Sequence, residues 1–340
     1  MTVGFHAMGG SYTVVENLCN KLSKKGISVT IGALSFKNVP PKRSFSYTVI
    51  PIGDVLRLTK LLNSFDIVHN HHPITNYLDL ISRVPFIYHY HGVPSIGRSN
   101  FFRFSMLSSV KITRHRFAAL IANSETSRAE IKKLVDPKKI HVICSGVDTN
   151  LFKPDVPELF RKGSPQCLFV GNLFDYKKVD ELIIALKILK AEYPKIHLLV
   201  VGDGEANQKL KRLVNRLNLQ NNVTFTGAIL HDNLCSYYAS CDVYVTASRC
   251  ETSSLPLLEA WACGKPAVAS SIPAHEELLS ASRAGAIYKV GDIHDLCSKI
   301  ASVFKLKEEF RCSAIQFAKK RDWSNVADQT IEVYNKILSD

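Results

Sequence analysis

The chain has 340 residues, is 46% hydrophobic and carries a net charge of +13, a length at which two domains in series are expected rather than one core. No apolar run approaches the roughly 18 residues of a membrane span, and the nine cysteines are scattered and never spaced as CxxC. A disulfide framework and a zinc ribbon are therefore not expected, and the thiols read as reduced core residues.

Charge is uneven. Residues 1–160 hold 20 Lys/Arg against 10 Asp/Glu, a balance that attracts phosphates, nucleic acid or anionic lipid. No RRM, KH or helix-turn-helix pattern accompanies it, so no nucleic-acid partner is expected.

In chain order, "TVGFHA" reads as a strand, with no basic segment and apolar run of an export leader, so a cytoplasmic address is expected. A helix over 12–25 follows, then strands in "ISVTIGAL" and "YTVIPI", and a helix over 54–63. Next come "DIVHNH" and "PFIYHYH", a helix over 105–118, "ALIANS", a helix over 126–134 and "IHVICSG". The segment "GVDTNLFKPDVPELFRKGSPQ", rich in Pro, Gly and charge, reads as a hinge near residue 160.

Beyond it, "QCLFVGN", "IHLLVVGDG", "NVTFTGAI", "CDVYVTAS", "KPAVASS" and "GAIYKV" read as buried strands. Between them, "VDELIIALKILKAEY", "ANQKLKRLVNRLNL", "HDNLCSYYAS" and "LPLLEAWACG" repeat apolar residues at helical spacing. The expected fold class is α/β, with two Rossmann-like, doubly wound parallel-sheet domains over 1–160 and 161–321. Residues 322–340 form a closing amphipathic helix, with packing back on the first domain as one option and Asp322 or Ser324 available as its cap. Open parallel sheets bind ligands beyond the carboxyl ends of their strands, so a cleft faced by the two domains is the expected site.

In "CETSSLPLLEAWACGKP", Glu251 precedes a helix and Glu259 lies about five residues into it, some 7 Å further at about 1.5 Å of rise per residue. Pro256 fits the first helical turn, and the amides of Ser254 and Leu255 would be open to a phosphate. A carboxylate in a strand–helix crevice suits ribose hydroxyls. The plainer reading gives Glu259 to its own helix N-terminus and Glu251 to solvent.

The longer pattern "VTFTGAILHDNLCSYYASCDVYVTASRCETSSLPLLEAWACGKPAVAS" resembles the signature region of glycosyltransferase family 4, of GT-B architecture. "KIHVICSGVDTNLFKP", "LFVGNLFDYKKVDELIIAL" and "GDGE" are similar to that family's linker, second-domain opening and following turn. At the front, "MGGSYTVVENLCNKLSKKGISVTI", "DIVHNHH" and "YHYHG" resemble its glycine-rich loop and its His-bearing strand ends. The resemblance implies retaining transfer of a hexose-type sugar from a nucleoside-diphosphate sugar to a glycan or lipid-linked acceptor, with no metal and no cofactor.

Carried over, it implies that Glu251 binds donor-sugar hydroxyls, Glu259 the ribose and Lys177 the diphosphate. Gly9 and Gly10 would let a loop approach the phosphates, and His91 would face the sugar. Fixed donors at the departing diphosphate would offset its growing charge. The family often has arginine after the glycine of "VG", whereas here Asn172 follows Gly171, and a planar bidentate cation is absent. Arg249 or Lys178 would compensate, or would be solvated. A weakly active nucleotide-sugar binding subunit and a sugar-nucleotide epimerase of the same architecture stand as alternatives.

His69 and His71, like His89 and His91, share a strand face. Metal ligation is the tempting reading, but no carboxylate cluster or cysteine accompanies them, so no metal is expected. His275, in "SIPAHEE", has no assigned role. Finally, "GRSNFFRFSMLSSVKITRHRF" interleaves aromatic and basic residues in a way that suits peripheral contact with an anionic membrane at its inner face. The other reading is a helix that buries its apolar side in its own domain and serves a soluble acceptor.

Overall fold

The computed structural model describes residues 10–33, 48–51, 55–92 and 100–339. The expected strand "TVGFHA", Gly9, and the side chains of Arg98, Phe101, Phe102 and Arg103 lie outside what is described. Two compact units form. One gathers the described residues up to Gly146 together with Trp323–Ser339, and the other holds Val147–Asp322.

In the first unit, α1 (Gly10–Lys24) leads to β1 (Thr30–Ala33), which pairs in parallel with β2 (Thr48–Pro51). After α2 (Val55–Leu62), a parallel sheet in the order β3 (Val68–Asn70), β4 (Phe86–Tyr90), β5 (Ala119–Ala122), β6 (Ile140–Val142) carries α3 (Asn100–Thr113) and α4 (Glu125–Ile131) as crossovers. β4 and β5 are buried at every position, as inner strands covered on both faces must be. The helix expected over 105–118 begins earlier and stops at Thr113, where the Arg116 amide turns back onto the Thr113 carbonyl at 2.9 Å.

The second unit is a single six-stranded parallel sheet. Its strands are β7 (Gln166–Val170), β8 (His197–Val201), β9 (Val223–Gly227), β10 (Val243–Thr246), β11 (Ala267–Ser270) and β12 (Gly285–Tyr288). Their spatial order is β12-β11-β10-β7-β8-β9, so the chain reverses direction across the sheet between β7 and β10. One face packs on α5 (Val179–Leu189) and α6 (Asn207–Arg216), with Leu182, Ile183 and Leu186 buried at helical spacing. The other face packs on α7 (Cys235–Ala239) and α8 (Leu255–Ala262), around the fully buried Trp261.

Two helices have no counterpart among the expected elements, α9 (Pro273–Ser282) and the 28-residue α10 (Ile293–Lys320). The closing helix α11 (Trp323–Ser339) belongs to the first unit, where it contacts α1. It buries Trp323, Val326, Ala327, Thr330 and Val333, an i, i+3, i+4, i+7 stripe.

Candidate active site

In an open parallel sheet, ligands bind at the carboxyl ends of the strands where the order reverses. Here that point lies between the loops after β7 and β10. The first runs from Gly171 through a 3-10 turn at Asp175–Lys177 to Lys178, whose left-handed φ of 52° redirects the chain into α5. The second holds Ser248 to Ser254 and delivers α8.

Three links tie these loops together. The Arg249 amide donates to the Tyr176 carbonyl at 2.8 Å. Lys177 Nζ lies 2.5 Å from Glu251 Oε1, both groups half-buried. The Arg249 guanidinium pairs with Glu181 in the first turn of α5. Burial opposes the charge on Lys177, but Glu251 more than offsets it, so the pKa lies above the ordinary lysine value. Burial likewise raises the Glu181 carboxyl, against the pull of Arg249.

Glycine is required where the loop after β7 passes the end of β8. A Cβ on Gly202, at the end of β8, would stand 2.0 Å from the Gly171 carbonyl oxygen, and Gly202 adopts a φ of 134°. Asn172, which follows Gly171, is exposed.

Ser254 caps α8 with its backbone alone, since its side chain makes no capping bond, and Pro256 sits in the first turn. Glu259 is buried with both carboxylate oxygens engaged. Tyr238 Oη donates to Oε2 at 2.7 Å, and His231 Nε2 lies 2.8 Å from Oε1. Each carboxylate oxygen accepts more than one bond, so this pairing orients the carboxylate and leaves it acceptor capacity.

His91 and Gly10 belong to the first unit. Gly10 is exposed at the start of α1. His91 is the last of four stacked imidazoles, with its centroid 4.5 Å from that of His89. Burial holds His91 down at about 4.

Two family models together account for most of the chain. "Glycosyltransferase Family 4" matches residues 8–151, and "Glycosyl transferases group 1" matches residues 154–321. The chain belongs to glycosyltransferase family 4. It is 28% identical over 241 residues to a D-inositol 3-phosphate glycosyltransferase 2 of Catenulispora acidiphila, covering 65% of this chain and 56% of that protein. It therefore spans little more than half the length of that relative. It is 26% identical to the alpha-monoglucosyldiacylglycerol synthase of Streptococcus pneumoniae, over 87% of this chain and 75% of that one. Among solved structures, HepE of Anabaena in complex with UDP and glucose superposes with a TM-score of 0.82 at 19% identity, over 98% of each chain. At that identity the likeness concerns the fold, which is GT-B.

In this family-4 chain the residues that sequence reasoning did not single out are the partners. Glu181, Tyr238 and His231 each reach a candidate residue from 68, 21 and 28 positions away, a distance at which no periodicity operates. His275 is a fourth. It is fully buried, its Nδ1 lies 3.1 Å from the Ser270 carbonyl oxygen, and its Nε2 has no partner. The Ser270 hydroxyl gives its proton to the Ser248 carbonyl at 2.5 Å, so the serine and histidine brace the loop that carries Arg249 and Glu251.

Proposed function

We propose that this chain is a retaining glycosyltransferase that moves a hexose-type sugar from a nucleoside-diphosphate sugar to a glycan or lipid-linked acceptor. The observation that carries the reading is the Lys177–Glu251 pair, which joins residues 74 apart at the reversal point of the second sheet. A cation that stays protonated suits a departing diphosphate, and a carboxylate beside it suits sugar hydroxyls. In this reading Lys177 exchanges Glu251 for phosphate when donor binds, and the released carboxylate takes hydroxyls of the sugar. The α8 amides at Ser254 and Leu255 add donors toward the phosphates, and Glu259, held by Tyr238 and His231, accepts from the ribose. Gly171, Asn172 and Arg249 complete the donor loops, and Gly9, Gly10 and His91 keep the roles that the family resemblance implies for them. None of these roles calls for a cofactor.

The structural relative that holds UDP and glucose supports a nucleotide-sugar donor. The relative named for diacylglycerol glucosylation supports a lipid acceptor. Peripheral contact with anionic lipid belongs to the same proposal. On α3, Met106 and Val110 face the core, while Phe104, Lys111 and Ile112 are exposed on the opposite side.

The test is release of nucleoside diphosphate from a panel of UDP-, GDP- and ADP-sugars, with diacylglycerol-type lipids and soluble glycans as acceptor arms. Release with one donor, abolished in Lys177→Ala, is the expected result. A donor that binds without release under every acceptor would make the chain a binding subunit, the reading that Asn172 in place of a clamping arginine favours.

A further inference from the structure

The carboxyl ends of β3 and β4 bring His69, His71, His89 and His91 into one stack, with ring centroids 4.5 Å apart for 69–71, 4.7 Å for 71–89 and 4.5 Å for 89–91. Neither strand alone offers more than two imidazoles; the parallel pairing of β3 with β4 assembles the cluster. We propose that His69, His71 and His89 form a binding site for a transition-metal dication of the zinc class.

One ring nitrogen from each of these three residues lies within 4.8 Å of the other two. His69 Nε2 and His89 Nδ1 are 3.3 Å apart, about the separation of two nitrogens that each sit roughly 2.0–2.1 Å from one tetrahedral ion. The outer partners fit as well. His69 Nδ1 lies 2.6 Å from Tyr334 Oη on α11, which fixes that ring with Nε2 turned to the cluster, the arrangement that metal-bound histidines use. His91 Nε2, 3.1 Å from His71 Nδ1, holds the fourth ring against the set.

His71 and His89 are buried, whereas His69 is partly open. Three histidines and no carboxylate leave a fourth position for water or a ligand oxygen, the pattern of an open zinc site. The rings of His69 and His89 are within 11° of parallel and that of His71 is turned by 26–27° from them. Rings so disposed do not aim three lone pairs at one point. The second side-chain torsion of histidine is soft, so binding an ion would turn these rings out of the stack. The three ligands lie in the first unit and none of them has a role in the proposed sugar transfer; His91, which does, only braces His71, and metal binding is read without any sugar donor.

The competing account is a pair of imidazole–imidazole hydrogen bonds with no ion, and the experiment separates the two. Chelator-treated full-length protein is titrated with Co(II). The expected result is the visible d–d absorption of low-coordinate cobalt, saturating at one equivalent and displaced by zinc, with no near-ultraviolet sulfur-to-cobalt charge transfer. His71→Gln and His89→Gln should each weaken binding by about tenfold or more, while His294→Gln on exposed α10 should leave it unchanged. Circular dichroism checks that the variants fold. If they do not, copper EPR on the unmodified chain counts nitrogen ligands directly, and three are expected. No cobalt band, a thiolate band, unchanged affinity in folded His89→Gln, or fewer than three nitrogens would each overturn the site.

Discussion

Lys177 is the residue on which the proposed chemistry depends most. With Asn172, and no arginine, after Gly171, it would be the main side-chain cation for the diphosphate under the proposed function, and removing one such group typically lowers the rate by on the order of 100-fold or more. Lys177→Ala should therefore be severe in kcat, and Asn172→Arg tolerated or activating; steady-state kinetics with the identified donor decide it. Glu251→Gln should lower kcat, since under the proposed function its partner is the reacting sugar. Glu259→Ala should behave differently, because it removes ground-state binding and also strands Tyr238 Oη, and such an unsatisfied buried donor costs about 1–3 kcal/mol. The expected signature is a raised donor KM with a lowered melting temperature, and Glu259→Gln should recover most of the stability. A pH effect belongs to Asp79, buried in the first unit, with Arg116 Nε 3.8 Å from one carboxylate oxygen and the other oxygen unpartnered. Burial raises its pKa from 3.8 to about 6, against Arg116 and Lys139. Between those values the folded state keeps a proton that the unfolded chain has released, so this group's contribution to stability rises as pH falls through about 6 and levels off below 3.8. Asp79→Asn should thus melt higher than the parent at pH 7, with the gap closing toward pH 4 in paired thermal scans.

At the scale of elements, the exposed face of α3 is the place to test membrane contact. Phe104, Ser108, Lys111 and Ile112 recur at helical spacing, and Phe104 is 71% exposed, unusual for so large an apolar side chain. The protein should float with acidic liposomes at low salt and less so at moderate salt. Phe104→Ser with Lys111→Glu should abolish flotation, and absence of flotation even at low salt would leave the soluble acceptor. Most elements were readable from period alone, because each buries a continuous stripe or run. α9 and α10 were not. The buried side of α9 carries His275 and Ser282, which break its apolar stripe. α10 buries Leu296, Cys297, Ile300 and Val303, then nothing until Ala314 and Ala318, so its stripe lapses for nearly three turns.

For the whole molecule, the return of α11 to the first unit couples the last residues of the chain to its first helix. Lys25 Nζ meets the Asp328 carboxylate at 2.8 Å, and Tyr334 meets His69. A chain ending at Asp322 should therefore lose amide-exchange protection in α1, β3 and β4 while the six-stranded sheet keeps its own; equal loss in both units would count against this division. What the sequence determined by itself was whatever depends on near neighbours. Strand–helix alternation, two parallel sheets, the helix behind Glu251 and the family motifs are all local patterns, and local patterns survive without coordinates. The tertiary structure decided what depends on strand order and register. Lys177 meets Glu251 because the loops after β7 and β10 are adjacent, though 74 residues separate them. Arg249 turns from solvent to Glu181 for the same reason. The four histidines, two pairs 20 residues apart, become one cluster only because β3 lies beside β4 in parallel, and strand pairing is a property of the sheet that neither strand carries alone.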